Sequence, residues 1–122
     1  MAWEVAFHPD FDPEFDALAP EVQDELLAHA RLLEAFGPTL GRPRADTLKG
    51  SRHANMKELR FTADGGVWRI AFAFDPERRA VLLVAADKSG VAERRLYRRL
   101  IGKADERFDR HLDRLKAVRG TR

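Results

Sequence analysis

Three apolar runs at 56–61, 67–74 and 80–86 follow one another with only short turns between them, and this constrains the fold more than any other feature. The first break is Asp64-Gly65-Gly66, whose residues supply the positive φ angles of a tight hairpin. The second, Asp75-Pro76-Glu77-Arg78-Arg79, is far too short for the crossover that parallel neighbours need. The runs therefore read as three consecutive antiparallel strands. The last is almost entirely apolar, as expected of a strand in the middle of a sheet.

The flanking segments supply a strand and three helices. Trp3-Glu4-Val5-Ala6-Phe7 alternates as a half-buried strand, closed by His8-Pro9-Asp10. Asp12-Pro13 reads as an N-cap with proline in the first turn, giving a short helix whose apolar side is Phe15 and Leu18. Pro20-Glu21 opens a second helix, in which Val22, Leu26, Ala30 and Leu33 recur at helical spacing until Gly37-Pro38 stops it. A loop over 37–44 leads to the sheet. After Ser89-Gly90 comes a last helix with a core stripe of Leu96, Leu100, Ala104, Phe108, Leu112 and Leu115. The order is β-α-α-β-β-β-α, an α+β fold with a mainly antiparallel sheet. Since hairpins join the later strands, the helices are expected on one face, leaving the other partly open.

With 122 residues the chain is read as one domain over 1–122, long enough to bury roughly two thirds of its unfolded surface without a staple. It has no cysteine, which excludes disulfides, thiolate nucleophiles, iron–sulfur clusters and cysteine-ligated zinc. No secretory signal and no membrane-length apolar run is apparent, so a cytoplasmic location is expected. The net charge of +2 conceals a division. Residues 1–36 carry nine acids and one base, whereas 37–122 carry 21 bases and 11 acids. A basic part of this kind suits a polyanion, with the acidic strand and helical hairpin kept away from it. The competing explanation is mutual neutralisation across the fold.

No nucleophile elbow, phosphate loop, His-Glu-x-x-His or dinucleotide pattern occurs, and Gly65-Gly66 belongs to the hairpin. His8, His29, His53 and His111 lie on four different elements without metal-ligand spacing, so no metal and no cofactor is expected. His29 reads as a packed core residue, His8 as a turn residue, and His111 as solvent-facing or pairing with a helix end. His53 stands apart because Lys49-Gly50-Ser51-Arg52-His53 leads into a strand carrying Lys57 and Arg60. Arg69 lies inside the next, apolar strand, where a charge is costly unless paired or functional. Antiparallel pairing can gather Arg60, Arg69 and Lys88, and Tyr97, about two helical turns into the last helix, can reach back over the sheet end.

Cations, a phenol and an imidazole together suit RNA cleavage by its own 2′-hydroxyl. That reaction needs a base for the hydroxyl, positive charge for the phosphorane and an acid for the 5′-oxygen. The alternative is that Arg60 and Arg69 merely pair with Glu58, Asp64 or Asp75, each pair contributing about 0.2–1 kcal/mol.

Five segments carry a family resemblance: Leu40-Gly41-Arg42-Pro43; Ser51-Arg52-His53-Ala54-Asn55-Met56-Lys57-Glu58-Leu59-Arg60; Trp68-Arg69-Ile70-Ala71-Phe72-Ala73-Phe74-Asp75-Pro76; Ala86-Asp87-Lys88; and Tyr97. Together they resemble the HigB-type toxins, the phage-derived Gp49-like branch of the RelE/ParE superfamily. The resemblance implies the compact RelE-like microbial RNase fold and a ribosome-dependent, metal-independent endoribonuclease that cuts messenger RNA. It also implies a HigA-type helix-turn-helix antitoxin as partner. By resemblance Arg69 contacts the scissile phosphate, aided by Arg60, Lys88 ends the last strand and Tyr97 positions the RNA. The general base stays open between Lys57, His53 and a pairing of Lys88 with Tyr97. Ribosomal RNA would be gripped by Arg42, Arg44, Lys49 and Arg52 and by the last helix through Arg94, Arg95, Arg98, Arg99 and Lys103. Glu58 and Asp87 depart from a purely cationic centre. The ParE branch poisons DNA gyrase instead, and an inactive antitoxin-binding relative is a third reading.

Overall fold

A computed structural model describes residues 3–120. The three hairpin-linked runs form β3 (Met56–Ala63), β4 (Gly66–Phe74) and β5 (Arg79–Asp87). They pair antiparallel, with Arg60 opposite Arg69 and Ala86 opposite Arg69 on its other side. Asp64 and Gly65 both take positive φ, 51° and 73°, which makes the first turn tight. The second turn is organised by Asp75. Its Oδ1 accepts the amides of Glu77 and Arg79 at 2.9 and 3.0 Å, and its Oδ2 accepts Arg79 Nε at 3.0 Å.

Two edge strands complete the sheet in the order β1-β5-β4-β3-β2. β1 (Glu4–Phe7) lies parallel to β5, from Glu4 opposite Arg79 to Phe7 opposite Leu82. β2 (Ala45–Thr47), within a stretch left unassigned from sequence, pairs antiparallel with β3. Its three residues carry too short a pattern for periodicity to register.

The first helix, α1 (Phe11–Asp16), starts two residues earlier than expected. Asp10 rather than Asp12 is the N-cap residue, and it makes no side-chain capping bond. α2 (Pro20–Phe36) begins and ends as expected, with Gly37 at its C-terminus. Gly37 has φ 55° and lies directly under the Trp3 indole, so both its backbone and the ring exclude a side chain there. The final helix, α3 (Glu93–Gly120), buries Leu96, Leu100, Ala104 and Phe108 as its spacing requires.

The expectation of a one-sided sheet is wrong, because helices cover both faces. Strand alternation sends Leu59, Ile70, Phe72 and Leu82 to one face, where Phe11, Val22, Leu26 and Leu33 of α1 and α2 cover them. Met56, Ala71, Ala73 and Val81 point the opposite way, against Leu100, Ala104 and Phe108 of α3. The nearly continuous apolar runs of β4 and β5 are what a doubly covered sheet demands. The acidic hairpin and the basic helix are thereby held on opposite faces.

They meet beside β5, where β1 ends. Arg107 makes a two-pronged pair with Glu14 at 2.8 and 2.6 Å and bonds the Leu83 carbonyl at 2.7 Å, just past the end of β1. Arg110 pairs with Asp10 beside it.

His29 is the packed core residue expected, whereas His8 and His111 are more integrated than expected. His29 is a core residue, stacked near Phe61 and bonded to the Glu25 carbonyl at 2.9 Å. His8 sits in the β1–α1 turn but is 1% exposed, and its Nδ1 accepts the Asp10 amide at 3.1 Å. His111 faces inward to Asp75 Oδ2 at 2.8 Å, tying α3 to the β4–β5 turn instead of facing solvent. Burial pushes the Asp75 carboxyl up, but His111 and Arg79 outweigh it and hold the group below the usual carboxylate range.

Candidate active site

Alternation along β3 and β4 places Glu58, Arg60 and Arg69 on the face that α3 covers. Two arginines directly opposite each other on one face repel. Glu58 resolves this: its Oε1 is 3.7 Å from Arg69 Nε and its Oε2 is 4.0 Å from Arg60 Nε. Arg60 also lies 4.0 Å from Asp46 on β2. Tyr97, in the second turn of α3, closes the arrangement. Its hydroxyl donates to Glu58 Oε1 at 2.8 Å and accepts from Arg69 Nε at 3.1 Å. Arg69 Nη1 donates to the Trp68 carbonyl at 3.0 Å, which leaves Nη2 outside these contacts.

The network is enclosed, since the side chains of Arg69 and Glu58 are only 8% and 7% exposed. Burial pushes the Glu58 carboxyl above its ordinary value, more than the Tyr97 hydroxyl and the two guanidiniums lower it. Burial, and then the Glu58 contact, pushes the Tyr97 hydroxyl up as well. A carboxyl and a phenol whose proton affinities burial raises thus share one hydrogen-bonded cluster with a guanidinium.

Glu58 and Tyr97 form part of the wall of a cleft of about 280 Å³ between β2 and the start of α3. Arg42, Asp46, Lys49 and Glu93 also line it. Lys88, just beyond β5, reaches the rim and pairs with Glu93 at 3.2 Å. Arg42 is held by Asp46 at 3.0 Å. The cleft wall is therefore of mixed charge, and Arg69 lies behind it, in contact with the lining residues Tyr97 and Glu58.

Two candidates lie elsewhere. Lys57 alternates onto the opposite face with Leu59 and Phe72, beneath the acidic hairpin. His53 is bonded to Asp109 at 2.7 Å and packs edge-on to Phe108. Asp109 lies about 18 Å along α3 from Tyr97 at ~1.5 Å rise per residue. Arg52 is tied to Asp109 and Asp105, and Ser51 to Asp105, so the 51–53 segment clips the loop to α3. Arg44 is exposed beside a separate hollow with Leu40 and Pro43. Arg94, Arg95, Arg98, Arg99 and Lys103 are exposed on α3. Asp87 is absorbed by the β5 turn, where Oδ1 accepts the amides of Val67 and Ser89 at 3.0 and 2.9 Å.

Glu58, Asp46 and Glu93 were not among the candidates drawn from sequence. Glu58 had a readable signal: it stands two residues before Arg60, hence on the same side, and diagonal to Arg69. Among the described residues, no three His, Asp or Glu side chains gather as a metal-binding group. No helix there is long and apolar enough to cross a membrane.

This layered arrangement, a mostly antiparallel sheet between an N-terminal helical hairpin and a C-terminal helix, is the RelE-like fold. A mutant of the Escherichia coli toxin RelE in its free state superposes with a TM-score of 0.56 at 15% identity, over 84% of this chain and 97% of that one. The model of the phage-derived Gp49-like proteins matches residues 13–109. The chain belongs to that family, the HigB-type branch of the RelE superfamily. It is 45% identical over 98 residues to HigB2 of Mycobacterium tuberculosis, covering 80% of this chain but 48% of HigB2, so it spans about half the length of that relative. It is 42% identical over 108 residues to HigB3 of the same organism, covering 88% of this chain and 92% of HigB3. Both relatives are named as candidate toxins.

Proposed function

We propose that this chain is the toxin of a type II toxin–antitoxin system and an endoribonuclease that cuts messenger RNA on the ribosome through the RNA's own 2′-hydroxyl, without a metal. The observation that carries the reading is Arg69, fixed against Tyr97 and Glu58, which themselves line a cleft, in a member of the HigB family. In this reading Nη2 of Arg69 meets the scissile phosphate and Arg60 adds charge, which together stabilise the phosphorane. Tyr97 and Lys88 position the RNA around the leaving oxygen. Lys57 and His53, being remote from Arg69, take no part at the reacting phosphate. Arg42, Arg44, Lys49 and the exposed arginines of α3, with Lys103, grip ribosomal RNA in the cytoplasm. The partner that silences the toxin is a HigA-type helix-turn-helix antitoxin.

The test is induced expression of the chain in bacteria, followed by primer extension on a translated reporter messenger. Growth arrest with new 5′ ends inside codons is the expected result. Arrest with intact messenger transfers the reading to a gyrase poison, and unimpeded growth to an inactive antitoxin-binding relative.

A further inference from the structure

In the reading above, the group that removes the proton from the 2′-hydroxyl is unassigned, because Lys57 and His53 lie elsewhere. We propose that Glu58 is that general base, with Tyr97 as the acid that protonates the leaving 5′-oxygen. The inference rests on the RNA-cleaving reading and adds to it the residue that runs its proton chemistry.

Three observations carry it. Among the described residues, Glu58 is the one carboxylate that both touches the Arg69–Tyr97 pair and lines the cleft. Its two oxygens are differently engaged: Oε1 accepts the Tyr97 hydroxyl at 2.8 Å, whereas Oε2 has only the more distant Arg60 at 4.0 Å. Burial also raises its proton affinity above that of an ordinary carboxylate, which favours a base.

The steps balance. Glu58 Oε2 takes the 2′-hydroxyl proton as the 2′-oxygen forms its bond to phosphorus. Arg69 neutralises the phosphorane charge. The bond from phosphorus to the 5′-oxygen then breaks, its electron pair leaves on that oxygen, and the Tyr97 hydroxyl supplies the proton. The products are a 2′,3′-cyclic phosphate and a 5′-hydroxyl. The proton on Glu58 returns to the Tyr97 oxygen across their contact, which resets both groups without a net proton change.

The test uses the whole chain on ribosomes carrying a defined messenger, with single-turnover cleavage followed across pH. For the wild type the rate rises with pH through an acid limb set by Glu58 and then levels. Glu58→Gln keeps an acceptor for Tyr97 and the same volume. It is expected to cleave about 10²–10⁴-fold more slowly, to bind programmed ribosomes as before, and to lose the acid limb. Glu58→Gln at the wild-type rate overturns the proposal. So does a slower Glu58→Gln that keeps the limb unchanged, because Glu58 would then only position Tyr97 and Arg69. If Glu58→Gln unfolds, Glu58→Asp decides: an acid limb displaced from that of the wild type supports the proposal, and an unmoved limb overturns it. A wild type that cuts no messenger removes the underlying reading instead, so the two failures are told apart.

Discussion

Replacing Arg69 by alanine is expected to slow messenger cleavage on the ribosome by about 10²–10³-fold, the usual loss when one fixed charge donor leaves a transition state. The side chain is already held by Tyr97 at 3.1 Å and by the Trp68 carbonyl at 3.0 Å, so its charge needs no reorganisation when the phosphorane forms. The substitution also strips Glu58 of its nearest buried cation, which raises that carboxyl further and adds a stability loss of about 1–3 kcal/mol for the unsatisfied partners. Arg69→Lys separates the effects. Lysine restores a positive charge but not the planar fork, so stability is expected to recover more fully than the rate. Single-turnover cleavage measured beside thermal unfolding checks this. An Arg69→Ala protein that cuts at the wild-type rate would remove Arg69 from the site.

The second large effect concerns pH and His8. Burial, aided by the Arg114 guanidinium 3.3 Å from Nε2, holds its pKa down to about 4 from an ordinary value of 6.5. Arg110 and Arg107 act in the same direction and Asp10 opposes them. The unfolded chain therefore takes up a proton that the folded one refuses. The stabilisation is complete above about pH 6.5 and is lost progressively as pH falls towards 4. In full it amounts to about 3 kcal/mol, from ~1.4 kcal/mol for each unit between the two states. Glu58, whose pKa is raised, contributes with the opposite sign, so the comparison must isolate His8. Urea unfolding across this range should show the fall for the wild type and a shallower one for His8→Asn, which keeps an acceptor for the Asp10 amide. Parallel curves would contradict the assignment.

Much of this architecture was legible in the sequence, for reasons that also explain the gaps. Asp64-Gly65 and the Asp75 turn declare their hairpins locally, so β3, β4 and β5 could be placed in register order. Pro20 and Gly37 mark the ends of α2 by backbone geometry alone. The parallel pairing of β1 with β5 is a contact between distant segments and leaves no local sign. The apolar continuity of residues 80–86 was read as centrality, though it equally means helices on both faces. At the site, antiparallel geometry suggested that Arg60, Arg69, Lys88 and Tyr97 gather; Arg60 does lie opposite Arg69 and Tyr97 does reach Arg69, while Lys88 pairs with Glu93. Lys57 was included because it neighbours them in sequence, yet a single strand step turns it to the other face. His53 was grouped by its basic neighbours, whereas its partner Asp109 lies far along the chain. Glu58 was read as a departure from a cationic centre; two opposed arginines require such a counter-charge between them.

The central claim, cleavage by the RNA's own hydroxyl at the Arg69 cluster, is tested most directly by the ends of the cut messenger. Purified toxin acting on programmed ribosomes should leave 5′-hydroxyl ends that accept a labelled phosphate without prior dephosphorylation, matched by 2′,3′-cyclic phosphates. Fragments bearing a 5′-phosphate and a 3′-hydroxyl, or messenger left whole, would contradict it.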